Sequence, residues 1–327
     1  MKDQIIKKVK QTIIDNHLVD KDDCLVLGLS GGPDSVSLLH ILNVLKDEMG
    51  FSLRAYHVNH MIRGSEADDD ERYAKDLCEA LDIPFDSVQI DIPALVHKNG
   101  ESVEECARKE RQKALLSFAE KFPNSKVVLA HNLDDQAETV MLRLLRGTGV
   151  HGLSGMEYKR ADGVIRPLLD VKREEIEKFC EENNIKAHTD STNRQTEYLR
   201  NNVRIELLPK LSEINPNIKE CLVRLASASR EDDEYLQKIA EKWVLENCKI
   251  TETIEIDSKK LLALDKAIFQ RVIKLAFARI GLCEDIAAVH INALRTVLEA
   301  NVGNKLVEFP NGYKAYLNHG ILVLSQK

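Results

Sequence analysis

Residues Leu27–Val36 read LGLSGGPDSV. An apolar run, Cys24–Leu29, stops at Ser30, Gly31 and Gly32; Pro33, Asp34 and Ser35 follow, and apolar periodicity then resumes. The run has the unbroken apolar character of a strand buried on both faces. Asp34–Glu48 carries helical periodicity that ends near Gly50. Pro33 suits a first helical turn, where its missing N–H costs nothing. Strand, glycine-rich loop and helix start, in that order, make an anion site: the amides at a helix N-terminus are free, and glycines let a phosphate approach the backbone. The loop has no lysine, so it is not a Walker loop, and it lacks the spacing of a dinucleotide fingerprint. The plainer reading is an ordinary glycine-rich turn. SGGxDS between a strand and a helix is too specific a pattern for that reading to be favoured.

Outward from this loop the chain alternates. Leu53–Val58, Phe85–Ile90 and Lys126–Ala130 read as further strands; Ser65–Leu81, Ser102–Phe122 and Asp134–Arg146 read as helices. Ser65–Leu81 has an acidic first turn, which suits the positive end of the helix dipole. Ser102 and Glu105 have capping-box spacing. This βαβα order predicts an α/β fold, a Rossmann-like parallel sheet with helices on both faces. A glycine-rich segment, RGTGVHGLSGM, follows, then a helix over Lys172–Asn183 and another ending near Pro209. Asn and Pro in SEINPN interrupt the periodicity and place a boundary between a domain over 1–214 and a second over 215–327. The second reads as smaller and mainly helical, with a short β tail in which Asn311-Gly312 is a hairpin signal.

Composition sets wider bounds. The chain has 327 residues, 43% of them hydrophobic and 30% charged, enough for about two domains. The formal net charge is -7; from Asn217 onward the charges nearly balance, so the acidity lies in the first part of the chain. A nucleic acid feels a local patch and not the total. Seven widely spaced cysteines, an odd number with no CxxC, argue against a disulfide framework, a zinc ribbon or an iron–sulfur site. The first residues lack the apolar core of a secretion signal, and no apolar run approaches a membrane span. The protein is expected to be cytoplasmic, with no membrane partner.

The SGGxDS loop after a first strand resembles the pyrophosphate loop of the adenylating N-type ATP pyrophosphatases, the PP-loop superfamily. Four further stretches narrow the resemblance: YHVNHMIR (Tyr56–Arg63), ECARKERQKAL with Arg108 and Arg111, LAHNLDDQAETVMLRLLRGTG, and DSTNRQTEYLRNNVR. Together they are similar to the tRNA(Ile)-lysidine synthases, across at least residues 24–209. The resemblance implies an adenine nucleotide alpha hydrolase-like fold and a carbon–nitrogen ligase. ATP would adenylate C2 of the wobble cytidine in a CAU-anticodon tRNA(Ile). The ε-amine of L-lysine would then displace AMP.

The resemblance also implies roles. Ser30, Gly31, Gly32, Pro33, Asp34 and Ser35 would bind ATP and its departing pyrophosphate, with His60 and His131 lining the nucleotide site. Asp34 would hold Mg²⁺, and Arg111 would act on phosphate charge. Asp135 and Glu138, three apart on one helix, can face one pocket; they would bind lysine and take part in catalysis. Arg146, Arg194, Arg200 and Arg204 would contact tRNA, within a wider set of basic residues that includes Arg143, Arg160 and Arg166. Two positions depart from the family pattern: Gln112 follows Arg111 where tyrosine is usual, and Ile205 follows Arg204 where histidine is usual. Family members are dimers, so a homodimer is an expectation. Many also carry a further C-terminal domain, so the chain reads as a short natural form or a shortened one. The rival readings are a tRNA thiolase, which needs cysteines that this sequence does not pair, another adenylating PP-loop enzyme, and a non-catalytic nucleotide-binding module.

Overall fold

The computed structural model describes residues 2–62, 64–99, 102–187, 198–301 and 305–326. The chain begins with helix α1 (Lys2–Asp15) and then alternates: β1 (Cys24–Gly28), α2 (Pro33–Met49), β2 (Ser52–Asn59), α3 (Ser65–Ala80), β3 (Phe85–Gln89). Helices α4 (Ile92–Asn99) and α5 (Val103–Ala119) lead to β4 (Ser125–Val128), α6 (Leu133–Leu145), α7 (Val150–Leu153), β5 (Val164–Ile165) and α8 (Arg173–Glu182). After α9 (Tyr198–Asn202) a single π-helical turn, Val203–Leu207, runs into α10 (Leu208–Ile214).

The five strands form a parallel sheet in the order β3-β2-β1-β4-β5. This is the doubly wound order, in which connections leave in opposite directions from β1 and β4 and open a crevice at the carboxyl edge between them. The apolar run of the sequence explains the centre. Leu25, Val26 and Leu27 of β1 are fully buried. Leu25 and Leu27 pack with apolar residues of α1, α2 and α8, whereas Val26 faces Leu115 and Phe118 of α5. Helix α2 ends as its sequence predicts, with Gly50 in the left-handed conformation at φ 73° and its N–H on the Lys46 carbonyl. The expected strands and helices are all present, with ends displaced by a few residues. The short β5, too brief to show a period in sequence, adds the fifth strand.

The chain divides into two compact units, Met1–Ser227 and Ala228–Lys327, so the division falls inside α11 (Ile218–Asn247). The second unit has its own core. It contains β6 (Cys248–Ile250), β7 (Ile254–Asp257), α12 (Ser258–Leu262), α13 (Lys266–Arg279), α14 (Ala288–Glu299), β8 (Leu306–Glu308), β9 (Tyr313–Asn318) and β10 (Ile321–Gln326). Phe269 and Phe277 of α13 are fully buried there. The β tail is the greater part of an antiparallel sheet, β6-β7-β10-β9-β8, which also recruits two strands from before the helices. Asn311 and Gly312, both at positive φ (56° and 78°), form the hairpin turn between β8 and β9. Among the described residues no helix is long and apolar enough to cross a membrane.

Candidate active site

Two loops at the carboxyl edge flank the switch point between β1 and β4. The first is Ser30–Ser35. Gly31 stands at φ 87°, a conformation that costs glycine little and a side chain much. Ser35 is buried, and its hydroxyl organises the turn: it donates to the Gly32 carbonyl at 3.0 Å and lies 3.0 Å from Ser30 Oγ. Gly32 is the N-cap of α2, and no side chain caps this helix. The first amides of α2 are therefore left to an outside acceptor, and the positive end of the dipole adds to the attraction for an anion.

Asp34 sits in the first turn of α2. Its Oδ1 accepts from Asn132 Nδ2 at 3.0 Å, and its Oδ2 pairs with Arg173 Nη1 at 2.6 Å. Burial pushes its carboxyl up to about 6 against the pull of Arg173, and the neighbouring charge of Asp135 pushes the same way. A carboxyl so raised is short of positive charge.

The second loop follows β4. Asn132 caps α6 through a complete capping box: its side chain accepts from the Asp135 amide, and the Asp135 carboxylate accepts from the Asn132 amide at 3.1 Å. Asn132 therefore joins the two loops, with one side-chain atom on Asp34 and the other on α6. One turn further along α6, Glu138 is buried at 3%. The sequence spacing placed Asp135 and Glu138 on one face, and the structure brings them together around two arginines. Arg204, on the π-turn, donates to Glu138 Oε1 at 2.5 Å and Oε2 at 3.0 Å, and to Asp135 Oδ1 at 3.2 Å. Arg200, on α9, reaches Glu138 at 3.3 Å. The two arginines are four residues apart and share a helical face. Buried Val203 fixes that face by packing on Ala137 and Val140 of α6. The arginines expected on RNA thus hold the carboxylates expected on lysine. Their distance from α6 in sequence hid this pairing.

Around these loops stand the remaining candidates. His131, between β4 and α6, accepts at Nδ1 from Arg166 Nε at 3.3 Å. Burial, and then the charges of Arg166, Arg111 and Arg200, push it down to about 3. Arg111 and Arg108 are exposed on α5. His60 lies just past β2, where its carbonyl accepts from the Ile92 amide at 3.4 Å. Arg146 is exposed at the end of α6, and Arg194 lies outside the described residues. Arg166 is buried at 6% and is not a surface charge. The glycine-rich stretch after α6 is held back on that helix: Arg143 Nη1 donates to the Gly152 and Gly155 carbonyls, and Gln136 bonds both polar atoms of the Met156 backbone. Arg166, expected among the basic residues on tRNA, is instead a buried partner of His131, and Asn132 and Arg173 are site residues that the sequence did not single out. Only Asn132 had a local signal, the N-cap spacing to Asp135.

The PP-loop domain family matches residues 1–211. The tRNA(Ile)-lysidine synthase of Clostridioides difficile is 38% identical over 99% of this chain and 71% of its own length. That of Clostridium acetobutylicum is 37% identical over 99% of this chain and 70% of its own. Among solved structures, the U34-tRNA thiolase of Methanococcus maripaludis superposes with a TM-score of 0.56 at 22% identity, covering 69% of this chain and 79% of that one; this likeness concerns the fold alone. Near-complete coverage at this identity, together with the PP-loop domain match over residues 1–211, places the chain in the tRNA(Ile)-lysidine synthase family of PP-loop enzymes.

Proposed function

We propose that the protein ligates lysine to C2 of the wobble cytidine of a CAU-anticodon tRNA(Ile) in two steps. The C2 carbonyl oxygen attacks the α-phosphorus of ATP and pyrophosphate departs. The ε-amine of lysine then attacks C2, AMP leaves, and the amine gives up a proton. The observation that carries this reading is the pairing of an uncapped phosphate loop with two carboxylates on the neighbouring helix start, in a chain alike over its whole length to lysidine synthases.

The residues divide the work by charge. Ser30, Gly31, Gly32 and Ser35 receive the pyrophosphate oxygens, and the dipole of α2 favours the growing negative charge. The missing Walker lysine fits this role, because no γ-phosphoryl group is transferred. His60 and His131 line the nucleotide site, and Arg111 meets phosphate charge. Asp34 is the carboxylate for Mg²⁺. Among the described residues no group of three or more acidic, histidine or cysteine side chains could hold a metal. A single raised carboxylate beside a phosphate loop suits a cation that shares its ligands with phosphates and water. When bound, Mg²⁺ neutralises phosphate charge.

Asp135 and Glu138 receive the lysine ammonium, and one of them takes its proton. Arg200 and Arg204 now lie on those oxygens; they leave the carboxylates to lysine and turn to tRNA phosphate, beside Arg146 and Arg194. Residues 1–214 carry the chemistry, and 215–327 bind tRNA. The test is incubation with ATP, Mg²⁺, labelled lysine and unmodified CAU-anticodon tRNA(Ile). Label should enter the RNA with AMP formed in step. Sulfur transfer in its place, or no AMP at all, overturns the reading.

A further inference from the structure

Arg166 is a buried cation to which the chemistry above gives no part. Burying a guanidinium is costly unless its donors are met. Its Nη1 donates to the Glu157 carbonyl at 2.7 Å and its Nε to His131 Nδ1 at 3.3 Å. The sheet brings the two side chains together. β4 and β5 are parallel, with Val128 opposite Ile165, and the Leu129 amide bonds the Ile165 carbonyl. One step further, Leu129 and Arg166 point to the same face. His131, two residues beyond Leu129, points there too. That face is the α5 side, where Leu129 packs with Leu115 and Phe118.

A guanidinium has N–H donors and no acceptor. Burial lowers Arg166 only to about 10, so it stays cationic near neutrality. An N–H aimed at His131 Nδ1 needs a lone pair there, which leaves the imidazole proton on Nε2. The other charges that bear on the ring are also cations, Arg111 on α5 and Arg200 on α9. They oppose a second proton.

We propose that Arg166 is a positioning residue that locks His131 as a neutral imidazole with its N–H on Nε2, so that His131 serves ATP as a fixed hydrogen-bond donor to phosphate oxygen and not as a proton carrier. The inference rests on the ATP reading of the site. A general acid or base works best with a pKa near the working pH; a donor that never changes charge holds phosphate equally well across that range.

The experiment has two arms. In the first, the full chain is labelled with ¹⁵N-histidine and its ring nitrogens are followed by NMR from about pH 5.5 to 8.5, a window that spans an ordinary histidine; His131→Gln identifies the signal. Nε2 should be protonated and Nδ1 bare throughout. A proton on Nδ1, or titration near pH 6.5, overturns the proposal. In the second arm, Arg166→Met keeps the apolar stem and removes the donors. His131 should then lose its fixed tautomer, with the proton shared between Nδ1 and Nε2, and AMP formation should fall about 10- to 100-fold, as when a histidine loses the partner that orients it. Burial and the charges of Arg111 and Arg200 remain and keep the ring neutral. In the double variant with His131→Gln the further loss from Arg166→Met should vanish. A variant with an unchanged tautomer and unchanged AMP formation overturns the proposal. If it does not fold, the first arm decides alone. Absence of AMP in the parent protein would strike the ATP reading, whereas the NMR result bears on the lock by itself.

Discussion

Helices α2 and α6 start at the same edge of the sheet, on either side of the switch point, and their N-termini are built in opposite ways. Helix α2 begins at a glycine with no side-chain cap. Helix α6 begins at Asn132 with a full capping box. Both carry acid in the first turn, and both have the same dipole. What differs is who satisfies the first amides. Where the chain satisfies none, the helix end is open to an anion. Where the chain satisfies its own, the surplus carboxylates are free to hold cations, and here they hold Arg200 and Arg204. A cap thus decides which sign of charge a helix start serves.

The strongest way to break this contrast is Asp34→Asn, which removes the one carboxylate at the anion end. AMP formation should fall by about two to three orders of magnitude, as when a transition-state charge loses its partner. Stability should move the other way. The folded carboxyl is raised to about 6 from 3.8, so between those values the folded state holds a proton that the unfolded state has lost. Stability contributed at Asp34 therefore falls as pH rises through that window. At pH 7 without Mg²⁺ the ionised group is a net cost, and the asparagine variant should melt a few degrees higher, on the order of 1 kcal/mol. Below about pH 4 the advantage should vanish. Near-normal AMP formation, or a lower melting temperature at pH 7, would remove Asp34 from the role assigned to it.

Glu138→Gln tests the cation end. The buried carboxylate bonds Arg204 twice and Arg200 once. If it serves lysine, adenylation measured as tRNA-dependent AMP formation should survive, while lysine transfer falls about 100-fold, the range for a lost proton acceptor. If its work is to hold the two arginines, adenylation and transfer should fall together. The two outcomes separate a substrate carboxylate from a scaffold.

The sequence made the anion end legible because every part of it is local. Strand, glycines, proline and helix lie within Cys24–Met49, and the meaning of Ser30–Ser35 follows from order alone. The Asn311-Gly312 hairpin was legible for the same reason. The cation end was legible by halves. Spacing put Asp135 and Glu138 on one face, but nothing near them named Arg204, 66 residues beyond Glu138, and Arg173 lies 139 residues from Asp34. Arg166 reads in sequence like any other basic residue; only the pleat of β5 turns it inward. Charge pairs that close over such separations leave no period and no motif, so folding alone discloses them.

The finest test is to give α2 the cap that α6 has. Gly31 cannot be used, since its φ of 87° resists any side chain. Gly32 can. Its backbone is extended, at φ -75° and ψ 161°, as an N-cap residue requires. A Cβ there would meet only Ser30 Oγ, at 3.6 Å, an ordinary contact. Gly32→Asn would supply a side-chain acceptor to the first amides of α2 without forcing the loop. Replacing a glycine cap with asparagine should stabilise the protein by a few tenths of a kcal/mol. The same acceptor would occupy the amides that pyrophosphate needs, so the KM for ATP should rise about tenfold, the equivalent of about 1.4 kcal/mol. Asp34 and the lysine step should be untouched. A variant that gains stability and loses ATP affinity would show that the missing cap is the binding site. One that gains stability with ATP affinity intact would place the phosphates on other groups, and would leave the open end of α2 as a feature of the turn.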